Sequence, residues 1–244
     1  MKKRLSVALV TQLVLCIHFG LFASNCRALE GRGDESVKWT ESFDLDDCDF
    51  SSVGRNAYFV LEPGYQLVLE GIEGKDTLAV WITVLNETRT IGDVETRAVE
   101  EREVVNGKVV EISKNFYAIC TRANSIFYFG EEVDIFKDGR LVSQSSEWRA
   151  DAEGASVGLM MPGIVLLGAR YYQEIAPGVA MDRAEILSDR ETVETPAGTF
   201  EKCLKIEETT PLEPTDKDYK YYAPGIGLIR DEDLLLKQYS FVDR

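Results

Sequence analysis

Two-residue turns between runs of β-branched and aromatic residues restrict the fold of this chain more than any other feature. Asn106-Gly107 interrupts a run of valines, and Asp138-Gly139 interrupts a second apolar run further along the chain. Both dipeptides fit a type I′ turn, because each central residue of that turn needs a positive φ. The two turns therefore predict antiparallel β-hairpins.

The same pattern continues toward the C-terminus. A third hairpin is predicted at Pro196-Ala197-Gly198, and later strands are predicted over residues 219–223, 226–230 and 234–241. No sustained apolar period of about 3.6 residues is present, so we expect little helix. Strands that recur at intervals of about 8–12 residues indicate a mainly β protein with a single large curled antiparallel sheet, either a half-barrel or an open barrel.

The first 28 residues have the layout of a secretory signal peptide. A basic start at Lys2-Lys3-Arg4 is followed by an apolar run from Leu5 to Ala23, and small residues precede a cleavage site after Ala28. We therefore expect a signal peptide over residues 1–28, a flexible acidic lead-in over 29–55 and one antiparallel β domain over 56–244. The expected location is periplasmic or extracellular.

Two alternatives for the N-terminus stay open. The apolar run could be retained as a membrane anchor, although Gln12 and His18 within it are costly in hydrocarbon. Cys26 could carry a lipid, although Asn25 is a poor residue just before a lipidated cysteine. No later segment is long and apolar enough to span a membrane, so we expect no stable membrane span after cleavage.

Charge and histidine content exclude several classes of function. Cleavage after Ala28 removes four basic residues and no acidic ones, which leaves 23 basic against 42 acidic residues and a net charge of −19. Such a surface repels phosphate backbones, so we expect no nucleic-acid partner. Cleavage also removes His18, the single histidine of the chain. Histidine-based catalysis is therefore excluded, and we expect neither a cofactor nor a metal site.

Three cysteines remain after cleavage, namely Cys48, Cys120 and Cys203. An oxidising compartment allows one disulfide among them. The pairing Cys120–Cys203 is favoured, because both residues lie in strand-like segments whereas Cys48 lies in an acidic stretch. Alternation with Leu204 and Ile206 places Cys203 on the polar face of its strand, which counts against this pairing. A free thiol at each position is nearly as compatible with the sequence.

The most apolar run outside the predicted signal peptide extends from residue 159 to 167 and is interrupted by Pro162-Gly163. One interpretation is a segment that crosses the core between two strands. The other is a mobile lid over an apolar cavity, since paired methionines adapt to irregular ligands. The second interpretation makes six residues candidates for lining a ligand site: Leu159, Met160, Met161, Ile164, Leu166 and Trp81.

Two hydrolase patterns were weighed against this binding interpretation. Residues 154–158 match the G-x-S-x-G pattern around Ser156, but no buried strand precedes the serine and no histidine follows it, so the match is attributed to chance. The many carboxylates leave a glycan hydrolase open, with two acids in a cleft beside Trp81 or Trp148.

Two motifs in the C-terminal third carry a family resemblance. Residues 195–206 (TPAGTFEKCLKI) and 221–229 (YYAPGIGLI) resemble motifs of uncharacterised exported bacterial proteins built on curled antiparallel sheets. Those proteins are loosely similar to periplasmic lipoprotein carriers, in which a half-barrel surrounds an apolar cavity. The resemblance implies the fold and assigns no catalytic residue.

These observations favour an exported protein that binds an apolar small molecule or an envelope protein without catalysis. A carboxylate-based hydrolase acting on glycans is one alternative. A cell-surface structural or interaction module is the other.

Overall fold

A computed structural model describes residues 38–242, apart from the side chains of residues 145–147. The predicted signal peptide lies outside the described residues. The first eight strands are β1 Phe50–Ser51, β2 Gly54–Asn56, β3 Phe59–Leu61, β4 Tyr65–Glu73, β5 Asp76–Ile91, β6 Val94–Val105, β7 Lys108–Cys120 and β8 Ser125–Lys137. The other eight are β9 Arg140–Arg149, β10 Gly158–Met161, β11 Arg170–Tyr172, β12 Arg183–Thr195, β13 Gly198–Thr210, β14 Glu213–Ala223, β15 Gly227–Asp231 and β16 Leu234–Phe241. Within residues 38–242, no helix has the length and apolar composition needed to cross a bilayer.

Fourteen strands form one antiparallel sheet, which curls into an open barrel. The strand order is β10-β8-β7-β6-β5-β4-β16-β15-β14-β13-β12-β11, with β9 paired to β8 and β1 paired to β7. Strands β2 and β3 form a separate hairpin. The two ends of the sheet approach each other beside β10 and β11, where the Ser156 backbone N–H donates to the Ile175 carbonyl at 2.8 Å. The predicted fold class, one large curled antiparallel sheet with little helix, is confirmed.

The predicted turns form where the sequence places them. Asn106 and Gly107 have φ values of 52° and 76° between β6 and β7, and Asp138-Gly139 turns in the same way between β8 and β9. Thr195 pairs directly with Gly198 across the β12–β13 turn. Positive φ at both central positions is what a type I′ turn requires, so these local signals set the hairpins.

Alternation along β7 and β8 directs side chains into two separate hydrophobic cores. Tyr117 and Ile119 face the inside of the barrel and belong to the inner core. The outer core lies on the opposite face of the same strands and consists of Ile91, Ala98, Phe116, Ala118, Cys120, Phe127 and Phe129. Two buried faces on one pair of strands require a second layer of chain outside the barrel.

Residues before β2 supply that second layer, so the expectation of a flexible lead-in over 29–55 is wrong for residues 38–55. The ring of Phe50 lies 5.4 Å from that of Phe129, and the ring of Phe43 lies 5.8 Å from that of Phe127. The Thr40 backbone pairs with β11, through hydrogen bonds of 3.0 Å and 2.9 Å. Burial of aromatic side chains outweighs the acidic composition of this segment.

A disulfide fastens the same segment to the sheet. It joins Cys48 to Cys120 across a sequence separation of 72, and Cys203 is a buried free thiol. The favoured pairing Cys120–Cys203 is therefore wrong. Cys203 is also buried rather than on the polar face, because Lys202 has a positive φ of 55° and the register shifts between Glu191 and Val193. Such a bulge breaks the simple alternation on which the prediction rested.

Candidate functional site

A cavity of about 110 Å³ lies inside the barrel. Aliphatic side chains from β4, β5 and β16 form most of one wall, among them Leu67, Leu69, Leu78, Val80, Ile82, Val84 and Leu234. The wall along β4 extends from Tyr65 to Glu73, which corresponds to about 26 Å of strand at the usual rise per residue. The lining residues therefore extend along the whole of β4.

The two ends of the cavity differ in chemistry. At the end formed by Tyr65 and Phe59, the Tyr65 hydroxyl donates to the Ile226 carbonyl at 2.8 Å, and the Phe59 ring packs 5.2 Å from that of Tyr117. The other end lies at the β4–β5, β6–β7 and β15–β16 turns, which antiparallel pairing brings to one side of the barrel. Six carboxyl side chains line the cavity, namely Glu73, Glu101, Glu103, Asp231, Glu232 and Asp233. Glu73, Glu232 and Asp233 lie at or beside these turns, whereas Glu101 lies further along β6, opposite Ile82 of β5. The region of these six carboxyls is called the acidic end.

Strand alternation brings Glu101 and Glu103 to the inside of the barrel. Both share a face of β6 with Val99, which is 1% exposed in the inner core. Glu103 lies directly opposite Glu111 of β7 in the sheet register. The two residues are 5% and 4% exposed, and in each the Oε1 atom has no hydrogen-bond partner among the described residues. Two buried carboxyls directly opposite each other cost free energy, either through charge repulsion or through protonation of one of them, so this pair does not stabilise the fold.

Burial and neighbouring carboxyls raise the pKa values at the acidic end. Burial, followed by the charges of Glu111, Glu101 and Asp231, raises the pKa of Glu103 to about 9. Burial and the charge of Glu101 raise the pKa of Glu111 to about 7. Burial also raises the pKa of Asp231 to about 7, although the nearby Lys220 lowers it. Glu103 is therefore protonated at neutral pH in the absence of a cation beside it.

Lys220 is the only basic side chain among the described residues that line the cavity. Its Nζ atom lies 2.7 Å from Glu208 Oε2 and 4.0 Å from Asp231 Oδ2. Burial alone lowers the pKa of Lys220, but the charges of Glu208 and Asp231 raise it well above its usual value. Lys220 is thus a fixed cation held mainly by Glu208 and Asp231, and its charge only partly offsets the effect of burial on Glu101 and Glu103.

A second group of buried polar side chains lies behind the cavity. Glu131 is opposite Trp148 in the β8–β9 register, and both are buried. Burial raises the pKa of Glu131 and of Glu174 well above the usual carboxyl value. The Tyr128 hydroxyl donates to Asn115 Oδ1 in the same region. Neither Glu131 nor Trp148 lines the cavity, so these carboxyls are not on its accessible surface.

Of the six candidate lining residues, the structure brings only Met160 to the cavity. Met161 is buried in the inner core, and Leu159 is partly buried against both cores. Ile164 and Leu166 are 76% and 64% exposed. After Met161 the chain leaves strand β10, and in the segment that follows Ile164 and Leu166 are exposed whereas Val165 packs against the inner core. The run therefore contributes Met160 to the cavity and Met161 to the core, and its most exposed residues do not cover the cavity.

Trp81 lies on the opposite face of β5 from the cavity, because its neighbours Val80 and Ile82 are the residues that line it. Ser156 of the G-x-S-x-G match is exposed and is followed by strand β10 rather than a helix, so it is not a nucleophile elbow. Among residues 38–242, no three His, Cys, Asp or Glu side chains are grouped to hold a metal ion.

The acidic end was not predicted from the sequence, although the alternation on β13 does indicate one inward-facing carboxyl. Leu204, Ile206 and Glu208 alternate on β13, so the inward direction of Glu208 follows from period two. Residues 100–103 (EERE) are charged on both faces of β6, and no alternation there indicates which carboxyls face inward.

Comparison with known proteins adds one match. A family model described as DUF3108-like matches residues 180–237, about a quarter of the chain. The matched residues contain both motifs behind the resemblance to an uncharacterised family, and the match supports it over this segment. No curated protein and no solved structure matches the chain. The matched segment supplies Glu208, Lys220 and Asp231 to the site, whereas Glu101 and Glu103 lie outside it.

Proposed function

We propose that this protein binds an apolar small molecule inside the curled sheet and does not convert it chemically. The observation that carries the proposal is the cavity of about 110 Å³ with its aliphatic wall on β4, β5 and β16. Apolar surface of this kind favours an apolar occupant over water, and an engineered apolar cavity of about 150 Å³ binds benzene. A row of aliphatic lining residues along the whole of β4 suits an unbranched chain. The resemblance to periplasmic carriers points in the same direction.

A carboxylate-based glycan hydrolase is the second candidate, because inward-facing carboxyls do lie beside Trp148. Hydrolysis by two carboxyls needs one that is ionised and one that is protonated. Burial raises the pKa of both Glu101 and Glu103, the carboxyls of β6 that line the cavity. Burial acts in the same direction on both carboxyls and favours the protonated form of each, and this arrangement favours binding.

Export is part of the proposal. It is supported by the signal-peptide layout of residues 1–28 and, independently, by the Cys48–Cys120 disulfide, since disulfides persist mainly in oxidising compartments. N-terminal sequencing of the protein recovered from the periplasm or medium should begin at Leu29. Recovery of a chain that begins at Met1 from the cytosol would contradict export.

A pair of substitutions on β5 tests the binding site. Ile82 lines the cavity, whereas Leu85 is partly buried on the outer face of the same strand. The probe is the fluorescent dye N-phenyl-1-naphthylamine, displaced by 1-dodecanol. Ile82→Trp fills the cavity and should weaken dodecanol binding at least about tenfold, whereas Leu85→Trp should leave it within about twofold. Equal effects of the two variants, or no binding by the native protein, would refute the proposal.

A further inference from the structure

We propose that the ligand is a cationic amphiphile, whose apolar chain lies along β4 and β5 and whose positively charged head group lies against Glu103, Glu101 and Asp231. This inference rests on the binding function proposed above and adds the chemical class of the ligand. It follows from the division of one cavity into an aliphatic wall and an acidic end.

Glu103 is the residue that points most directly to a cation. It lines the cavity, is 5% exposed, and its Oε1 atom has no hydrogen-bond partner among the described residues. A buried carboxyl without a partner is costly, and its cross-strand neighbour Glu111 adds a second unpartnered oxygen. A ligand cation beside Glu103 offsets both penalties, whereas a neutral ligand supplies at most a hydrogen bond and no charge.

The protein does not supply this cation itself. Lys220 is held by Glu208 at 2.7 Å, and its contact with Asp231 is longer, at 4.0 Å. One lysine faces six carboxyl side chains around the cavity. The carboxyl groups that line the cavity therefore outnumber the basic side chains that line it.

The carboxyls at the turns of the acidic end also favour a positively charged ligand. Glu73, Glu232 and Asp233 line the cavity at the turns of the acidic end, and Asp233 is exposed. Clefts lined by one sign of charge concentrate ions of the opposite sign and repel the same sign. Amphiphiles with a carboxylate or phosphate head group are therefore disfavoured at this entrance.

Binding of a permanent cation should depend on pH with a defined sign. Glu103 is faced by Glu101 on its own strand, Glu111 on β7, Lys220 on β14 and Asp231 on β15. These neighbours and burial raise the pKa of Glu103 to about 9, so a cation that pairs with the ionised form must displace a proton. Affinity should then rise with pH up to about 9, by at most about tenfold per unit.

The experiment compares three probes of equal chain length below their micelle-forming concentrations: dodecyltrimethylammonium, 1-dodecanol and dodecanoate. Isothermal titration at pH 8 should show the quaternary ammonium binding at least about tenfold more tightly than the other two. Its affinity should fall as the pH is lowered from 8 to 6, while that of dodecanol should stay constant. The permanent charge of the ammonium probe removes titration of the ligand from this comparison.

Substitutions assign the preference to the acidic end. Glu103→Gln should weaken binding of the ammonium probe about tenfold and leave dodecanol within about twofold. The matched control is Glu100→Gln on the outer side of β6, which should change neither. Because glutamine removes an unpartnered carboxyl, the Glu103 variant is expected to fold, and its dodecanol affinity reports an intact cavity.

The outcomes separate the two proposals. If dodecanol and dodecanoate bind as tightly as the ammonium probe, the cationic ligand is refuted and the apolar binding function stands. If none of the three probes binds, the binding function fails and the cationic ligand fails with it. If Glu103→Gln retains the full preference for the ammonium probe, the assignment of the head-group site is refuted.

Discussion

The inner and outer faces of β7 and β8 differ in chemistry although the same strands carry both. The outer face is apolar at its centre and is covered by residues 43–50. The Cys48–Cys120 disulfide joins this covering segment to β7. The inner face mixes Tyr117 and Tyr128 with buried carboxyls, several of which lack hydrogen-bond partners. A sheet buried on both sides gains most from apolar side chains on both. The outer face therefore stabilises the fold, whereas the buried carboxyls of the inner face reduce its stability.

Removal of the disulfide should have the largest effect on stability and tests the role of the outer face. The double variant Cys48→Ala and Cys120→Ala should lose about 4 kcal/mol of unfolding free energy, as the chain-entropy model gives for a loop of this length. Urea denaturation measures the loss, and dye binding should report exposure of Phe127. The control, Cys203→Ala, removes a free thiol and should lose about 1 kcal/mol. A double variant as stable as the native protein would show that residues 43–50 cover the outer face without stabilising it.

Lys220→Met tests the inner face. It leaves Glu208 and Asp231 without their cation and should lower the unfolding free energy at pH 8 by about 3 kcal/mol. The loss should shrink toward pH 5, because burial raises the pKa of Asp231 to about 7 and its protonation removes one of the unpaired charges. Lys217→Met, which breaks an exposed pair with Glu207, should change stability by about 0.5 kcal/mol or less. Similar losses in the two variants would contradict the buried role of Lys220.

Glu103→Gln should raise the free energy of unfolding by about 2 kcal/mol at pH 8. The same substitution should weaken binding of the ammonium probe, so its effects on stability and on binding have opposite signs. The folded-state pKa of Glu103, about 9, lies above its ordinary value of 4.5, so the folded state holds more protons between these limits. The contribution of Glu103 to stability is therefore fully present below pH 4.5 and is lost as the pH rises toward 9. Melting temperatures from pH 5 to 9 should show a gap between variant and native protein that widens with pH. A gap that is constant with pH would show that Glu103 is not a buried titrating group.

The smallest effect is expected at Trp81. Trp81→Ala alters the outer face of β5 and should change dodecanol affinity by about twofold or less, whereas Ile82→Ala on the inner face should weaken it several-fold. Displacement of the fluorescent dye measures both. A large loss of affinity on substitution of Trp81 would mean that the ligand binds outside the barrel.

The predictable parts of the fold are those determined by residues that are adjacent in sequence. Asn106-Gly107 and Asp138-Gly139 turn as expected, because the φ requirement of a type I′ turn acts within two residues. The predictions failed where one local irregularity has a long-range consequence. The positive φ of Lys202 accompanies the shift that buries Cys203, and nothing in the sequence around Lys202 signals a bulge.

The candidate site was less predictable than the fold for a related reason. Leu159–Leu167 is apolar in sequence, yet Ile164 and Leu166 are exposed because the chain leaves the sheet edge after Met161. Hydrophobicity alone does not say which strand pair a segment joins. The acidic end was missed because Glu101 and Glu103 lie among other charged residues on β6.

Local chemistry of the chain was sufficient to establish an antiparallel sheet, its main turns and a strongly acidic composition, since these depend on backbone preferences and on residue counts. Folding in three dimensions settled which cysteines pair, which segment covers the outer core and which carboxyls face inward. Those outcomes depend on contacts between residues far apart in sequence, such as Cys48 with Cys120, and on the loss of water around groups such as Glu103. The desolvation of a carboxyl depends on its surroundings, so the pKa shift arises only when the sheet has curled around that carboxyl.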